Sequence, residues 1–178
     1  YQNAFTIYIL PYSLIAVSVA TAVFPRVSRA VADNDLNTAR DDLSDALRNV
    51  TLLMSFFSAI FVVLSVPISL ALLPSISVGE AQLMSGPMIA LSLSLPLSSS
   101  YLIIQRTFYA FEDGRSPFIF MAVQLSIQML TLLITTKVLS PLDWTLMRGV
   151  AVTLAYALSF PLLVWMLRKR FENRLDGR

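Results

Sequence analysis

Residues 50–73 read VTLLMSFFSAIFVVLSVPISLALL, twenty-four positions without a charge. A hydrocarbon core ~30 Å thick takes about 20 helical residues at ~1.5 Å rise per residue. A chain segment in oil must satisfy its own backbone hydrogen bonds, which makes helix the natural state of such a stretch. Four more charge-free runs follow the same rule: residues 4–24, 83–104, 117–136 and 149–167. The whole chain agrees, being 56% hydrophobic and 13% charged, where soluble domains carry about 25% charged residues. A soluble fold of this length needs a charged skin that this chain cannot make. The runs do not alternate polar and apolar residues, as membrane β-strands would. The first run is too long for a signal peptide, whose apolar region spans only ~7–15 residues after a basic start. The expected fold is therefore an all-α integral membrane bundle of five transmembrane helices. The chain has no initiator Met and starts at Tyr1 almost inside the first run, which reads as a piece of a longer protein.

Composition also narrows the chemistry. Cysteine and histidine are both absent. That removes disulfides, thiolate metal sites and the commonest general base and metal ligand at neutral pH. No Asp, Glu, Lys or Arg lies within the five runs, so they hold no charged relay of the kind ion pathways use. No serine has a histidine or lysine beside it to activate it. No catalytic residue, metal or cofactor is expected, and no nucleic-acid partner.

The basic residues give the orientation, since cytoplasmic loops are the Lys- and Arg-rich ones. Arg26, Arg29, Arg40 and Arg48 follow the first run, Arg106 and Arg115 follow the third, and Arg168, Lys169, Arg170, Arg174 and Arg178 lie in the tail 168–178. The other side holds only Lys137 and Arg148. The start is thus expected outside and the basic tail in the cytoplasm. Asp33, Asn34 and Asp35 offer N-caps. Beyond them Leu36, Ala39, Leu43, Ala46, Leu47 and Val50 recur at helical spacing, with Asp41, Asp42 and Asp45 on the other face. Residues 35–48 therefore read as an amphipathic helix on the cytoplasmic membrane surface, running into the second span. It is either a solvated connector or a docking face for a cytoplasmic protein.

Within the spans three patterns stand out. Pro11, Pro67, Pro87, Pro96 and Pro161 lie at membrane depth, where kinked helices suit a transporter that bends between states. Gln124, Gln128, Thr131 and Thr135 step by helical spacing along one face of the fourth span, toward a neighbouring helix or a substrate path. Ser85, Ser92 and Ser99 recur every seven residues, which suits close helix packing.

Two segments carry a resemblance. The first span holds Leu10-Pro11-Tyr12-Ser13, then Ala20-Thr21-Ala22-Val23-Phe24-Pro25-Arg26-Val27-Ser28. The loop after the third reads Arg106-Thr107-Phe108-Tyr109-Ala110-Phe111-Glu112-Asp113-Gly114-Arg115-Ser116-Pro117. They resemble the patterns LP-x-G…AT-x-x-x-PR-x-S and R-x-FYA-x-x-D-x-R-T-P of the MviN/MurJ family of bacterial lipid II flippases. The resemblance implies the eighth to twelfth helices of a 14-helix, two-lobe, MATE-like transporter, with the N-terminal lobe outside this chain. It implies an undecaprenyl-linked lipid substrate, moved from inner to outer leaflet of the bacterial cytoplasmic membrane. It also implies membrane lipids, and cytoplasmic cell-wall regulatory proteins, as partners. A related polysaccharide or drug exporter, or a non-transporting scaffold for cell-wall assembly, remains the alternative. The motif match makes Arg26, Arg106, Asp113 and Arg115 candidates for bracing a cytoplasmic gate by salt bridges and loop capping. Gln124, Gln128 and Thr131 are candidates for a cavity wall, as is Thr6, where family members can place an arginine. Ser13 and Ser116 stand where the family has glycine and threonine.

Overall fold

The computed structural model describes residues 1–138 and 144–176, with side chains to residue 172. The side chain of Arg174, and all of Gly177 and Arg178, fall outside the described residues. Among the described residues the chain is helical throughout: α1 (Gln2–Pro11), a π-helical turn (Tyr12–Ala16), α2 (Val17–Ala32), α3 (Leu36–Val63), α4 (Ser65–Leu72), α5 (Val78–Ser92), α6 (Leu95–Ala110), α7 (Arg115–Val138) and α8 (Trp144–Asp176). Four helical segments are long and apolar enough to cross a membrane, and the bent pair α5–α6 makes a fifth. The fold is an all-α membrane bundle.

The prolines act differently according to position. Pro67 and Pro96 fall in the first turns of α4 and α6, where the missing N–H would have no partner anyway. Each sits just beyond a break. The helix stops at Leu64 and again at Leu93–Ser94, where α5 and α6 meet at 40°. Pro11 instead lies at the edge of the π-turn, in which the Val17 N–H reaches the Tyr12 carbonyl. Pro25, Pro87 and Pro161 sit inside continuous helices.

The amphipathic segment 35–48, expected to run into the second span, is the first half of α3, unbroken to Val63.

α3 packs on α2 and α6, α8 on α5 and α7, and α1 on α5. The shared core holds Met54, Met88, Leu91, Leu95 and Ile103, all fully buried. Hydroxyls tie the helices together, as expected where lipid is no less apolar than Leu. The Tyr8 hydroxyl bonds Ser94 at 3.1 Å and Ser98 at 3.2 Å, linking α1 to the α5–α6 break. Thr51 and Ser100 meet at 2.9 Å between α3 and α6. The Ser92 and Ser94 hydroxyls donate to the Ile89 and Leu91 carbonyls at 2.8 and 2.7 Å, as second donors beside the Leu93 and Ser94 N–H groups that bond the same oxygens. Large apolar side chains such as Leu83, Val63 and Phe118 are more than two-thirds exposed, which is the natural state of a lipid-facing surface.

A candidate gate at the basic end of the bundle

The basic end is built from two turns of the same design. At the end of α2, Asn34 takes a left-handed φ of 59° and the Asp35 N–H bonds the Ala30 carbonyl at 2.9 Å. At the end of α6, Glu112 takes φ 58° and the Asp113 N–H bonds the Phe108 carbonyl at 2.9 Å. Both are Schellman closures carried by a non-glycine residue. In each, the next residue is an aspartate that caps the following helix. Asp35 accepts from the Thr38 N–H at 3.1 Å and the Thr38 hydroxyl at 2.6 Å. Asp113 accepts from the N–H groups of Arg115 and Ser116 at 3.0 and 3.1 Å, and from the Ser116 hydroxyl at 2.7 Å. Ser116, a departure from the family pattern, therefore still supplies the hydroxyl this cap uses.

Charges close over these turns. Arg26 of α2 pairs with Asp42 of α3. Arg170 of α8 reaches back to the α6–α7 turn, its Nε 3.8 Å from Asp113 and its other nitrogen donating to the Phe111 carbonyl at 3.1 Å. Burial alone would raise the Asp113 carboxyl. The Ser116 side chain and N–H, the Arg170 charge and the Arg115 N–H outweigh it and hold the group below the ordinary carboxylate value. Beneath the charges lies an apolar plug of Val27, Ala30, Val31, Leu36, Ala39 and Phe111. Phe171 of α8 stands edge-on to Phe111, ring centroids 5.0 Å apart. Three helix ends are thereby fastened together: α2–α3, α6–α7 and α8.

The sequence-derived candidates divide. Arg26 and Asp113 sit in ion pairs, while Arg106 and Arg115 are exposed and make none among the described residues. Thr6 is exposed on α1 and its hydroxyl bonds the Gln2 carbonyl. Gln124 bonds the Tyr156 hydroxyl of α8. Gln128 and Thr131 are half-buried on the same side of α7, and the Thr131 hydroxyl bonds the Ile127 carbonyl. α1 packs on α5 and α7 on α8, so Thr6 does not join the glutamines in one site. Sequence reasoning missed Asp42, Arg170, Phe111 and Phe171. An acid on the face of α3 nearest Arg26 was a findable signal; a single arginine within a basic run was not.

A family model described as lipid II flippase MurJ matches residues 1–176. A curated relative, the lipid II flippase MurJ of Thermosipho africanus (strain TCF52B), is 33% identical over 121 residues, which are 66% of this chain and 24% of the relative. A solved structure, lipid II flippase MurJ in an inward closed conformation, superposes with a TM-score of 0.81 at 24% identity. That superposition covers 96% of this chain and 36% of the solved one. The chain thus spans about a quarter of the curated relative and about a third of the solved chain. At that identity the structural likeness speaks for the fold.

Proposed function

The chain belongs to the lipid II flippase MurJ family, and from that premise we propose that it forms part of a transporter carrying a lipid-linked peptidoglycan precursor across the bacterial cytoplasmic membrane. The observation that carries this reading is the family match over residues 1–176. Movement from inner to outer leaflet would proceed by alternating access, with the other lobe supplied by sequence outside this chain. The physical task is to shelter a diphosphate–sugar head that hydrocarbon rejects.

The basic end, with nine of the eleven described Lys and Arg side chains on its side, is assigned to the cytoplasm. The fastened turns there are assigned to the inner gate. Asp113 and Arg26 act by locking helix ends. Arg106 and Arg115, exposed and without acidic partners among the described residues, are free to meet an anionic head or the other lobe. The exposed face of α1 bearing Thr6 is assigned to the cavity, and Gln124, Gln128 and Thr131 to the packing of α7 on α8.

Depletion of the full-length protein in its host, with leaflet-resolved measurement of lipid II, tests the reading. Precursor should accumulate in the inner leaflet and clear when the wild type is restored. Asp113→Lys should fail to clear it, and Asp113→Lys with Arg170→Asp should recover part of the activity. Normal lipid II distribution on depletion would sink the proposal.

A further inference from the structure

A cleft of about 560 Å³ runs between the first half of α3 and the end of α8, within the ~300–1,000 Å³ range of small-molecule sites. Its two walls change character at the same level. α3 carries charges from Arg40 to Arg48 and none from Asn49 to Val63; α8 carries none from Gly149 to Leu167 and is charged from Arg168 onward. On α8 the lining runs from the uncharged Val164 and Leu167 to Arg168 and Glu172, while on α3 it lies within residues 36–47, so the cleft sits at the level where both helices become charged. Its inner part is lined by Leu47, Val164 and Leu167, and its outer part by Arg40, Arg168 and Glu172.

Of the acids at this end, Asp42 holds Arg26 and Asp113 holds Arg170, while Asp41 and Asp45 are exposed on α3 and do not line the cleft. Arg40 and Arg168 make no ion pair among the described residues. Two guanidiniums against one carboxylate leave the mouth net positive. An apolar trough that ends in two unpaired cations matches one class of molecule, a lipid with an acyl chain and a phosphate head. Basic pockets between helices at a membrane face take anionic head groups on the same grounds.

We propose that this cleft binds an anionic glycerophospholipid of the adjacent leaflet, its phosphate between Arg40 and Arg168 and an acyl chain along Leu47, Val164 and Leu167. The site borders the gate, sharing Leu36 and Phe171 with its apolar plug, but does not depend on the transport reading. A lipid seated there would pin the end of α8 against α3, next to the Arg170 clasp.

The test uses the full-length protein in nanodiscs of phosphatidylglycerol mixed with phosphatidylcholine, with bound lipid counted by native mass spectrometry. Wild type should retain phosphatidylglycerol over phosphatidylcholine. Arg40→Gln and Arg168→Gln should each weaken that retention about fivefold, the factor one arginine contributes near an anionic surface, and the double variant about 25-fold. Ser44→Trp, which fills the cleft while leaving both arginines, should expel the lipid. Arg29→Gln, an exposed cation outside the cleft, should change nothing. Undiminished retention in the double variant, or equal loss in Arg29→Gln, would overturn the site.

Discussion

Replacing Asp113 by Ala should loosen the α6–α7 turn without unfolding the bundle. The side chain is an N-cap with three hydrogen bonds, at 3.0, 3.1 and 2.7 Å. Losing an aspartate cap costs about 1 kcal/mol, within about 0.5–2. The pair with Arg170 adds less. At 3.8 Å it lies beyond hydrogen-bond reach, and the Arg170 side chain is 36% exposed, so about 0.5 kcal/mol is appropriate. Together these come to about 1–2.5 kcal/mol of local stability, or roughly a 5- to 70-fold rise in amide exchange across 111–118. Asp113→Asn separates the two parts, because Asn caps as well as Asp. It should lose only the charge and exchange about twofold faster than wild type. Hydrogen exchange by mass spectrometry on the full-length protein reads both variants. The amides around Ser77, capped independently by Ser77 and Glu80, serve as the unmoved reference. Equal exchange in Asp113→Ala and wild type would refute the capping argument. Equal acceleration in the Asn and Ala variants would show that the charge, not the cap, holds the turn.

Acidification gives a second prediction: because the folded Asp113 carboxyl is held below its ordinary 3.8, its stabilising contribution is complete above that value and drains away only as pH falls through the lowered one. Exchange protection at 111–118, corrected for intrinsic rate, should stay flat from pH 5 to 8, and a decline within that window would contradict the assignment. Gly149→Ala should destabilise the bundle by about 1–3 kcal/mol in detergent unfolding, since an added Cβ would stand 2.9 Å from the Ala90 Cβ and 3.0 Å from the Pro87 carbonyl oxygen; an unchanged midpoint would mean that α5 and α8 can part without cost. Two tyrosines should behave oppositely. Tyr8→Phe loses the bonds to Ser94 and Ser98 and should cost about 0.6–1 kcal/mol, whereas Tyr101, whose buried hydroxyl has no partner among the described residues, should tolerate Phe with no loss or a slight gain. A larger penalty at Tyr101 than at Tyr8, read in the same unfolding series, would reverse that account.

The bundle was legible because burying a charge in lipid is so costly that charge-free runs and membrane spans become the same thing. Where the spans break was not legible. Proline marks a candidate bend, but its effect depends on whether neighbours take over the orphaned carbonyls. At Pro96 the helix breaks just upstream, at Leu93–Ser94. At Pro87 and Pro161 the helix runs on. The register between serines and a proline is visible in the sequence, yet the Tyr8 bonds that hold the α5–α6 bend come from 86 and 90 residues away.

The gate shows the same division on a smaller scale. Arg26, Arg106, Asp113 and Arg115 stood out as charges, which suggested salt bridges and loop capping without saying which residue does which. The geometry gives Asp113 mainly a capping task. The clue was local: Asp35 and Asp113 each lie three residues before a hydroxyl residue, Thr38 and Ser116, and each follows a left-handed residue. An aspartate in that frame spends its oxygens on backbone N–H groups first, because those donors are fixed by the helix start, while an arginine must be brought from another element. Asp113 can therefore keep its turn closed whether or not Arg170 is in reach. In the proposed gate, that independence would let α8 release the α6–α7 turn while the turn itself keeps its shape.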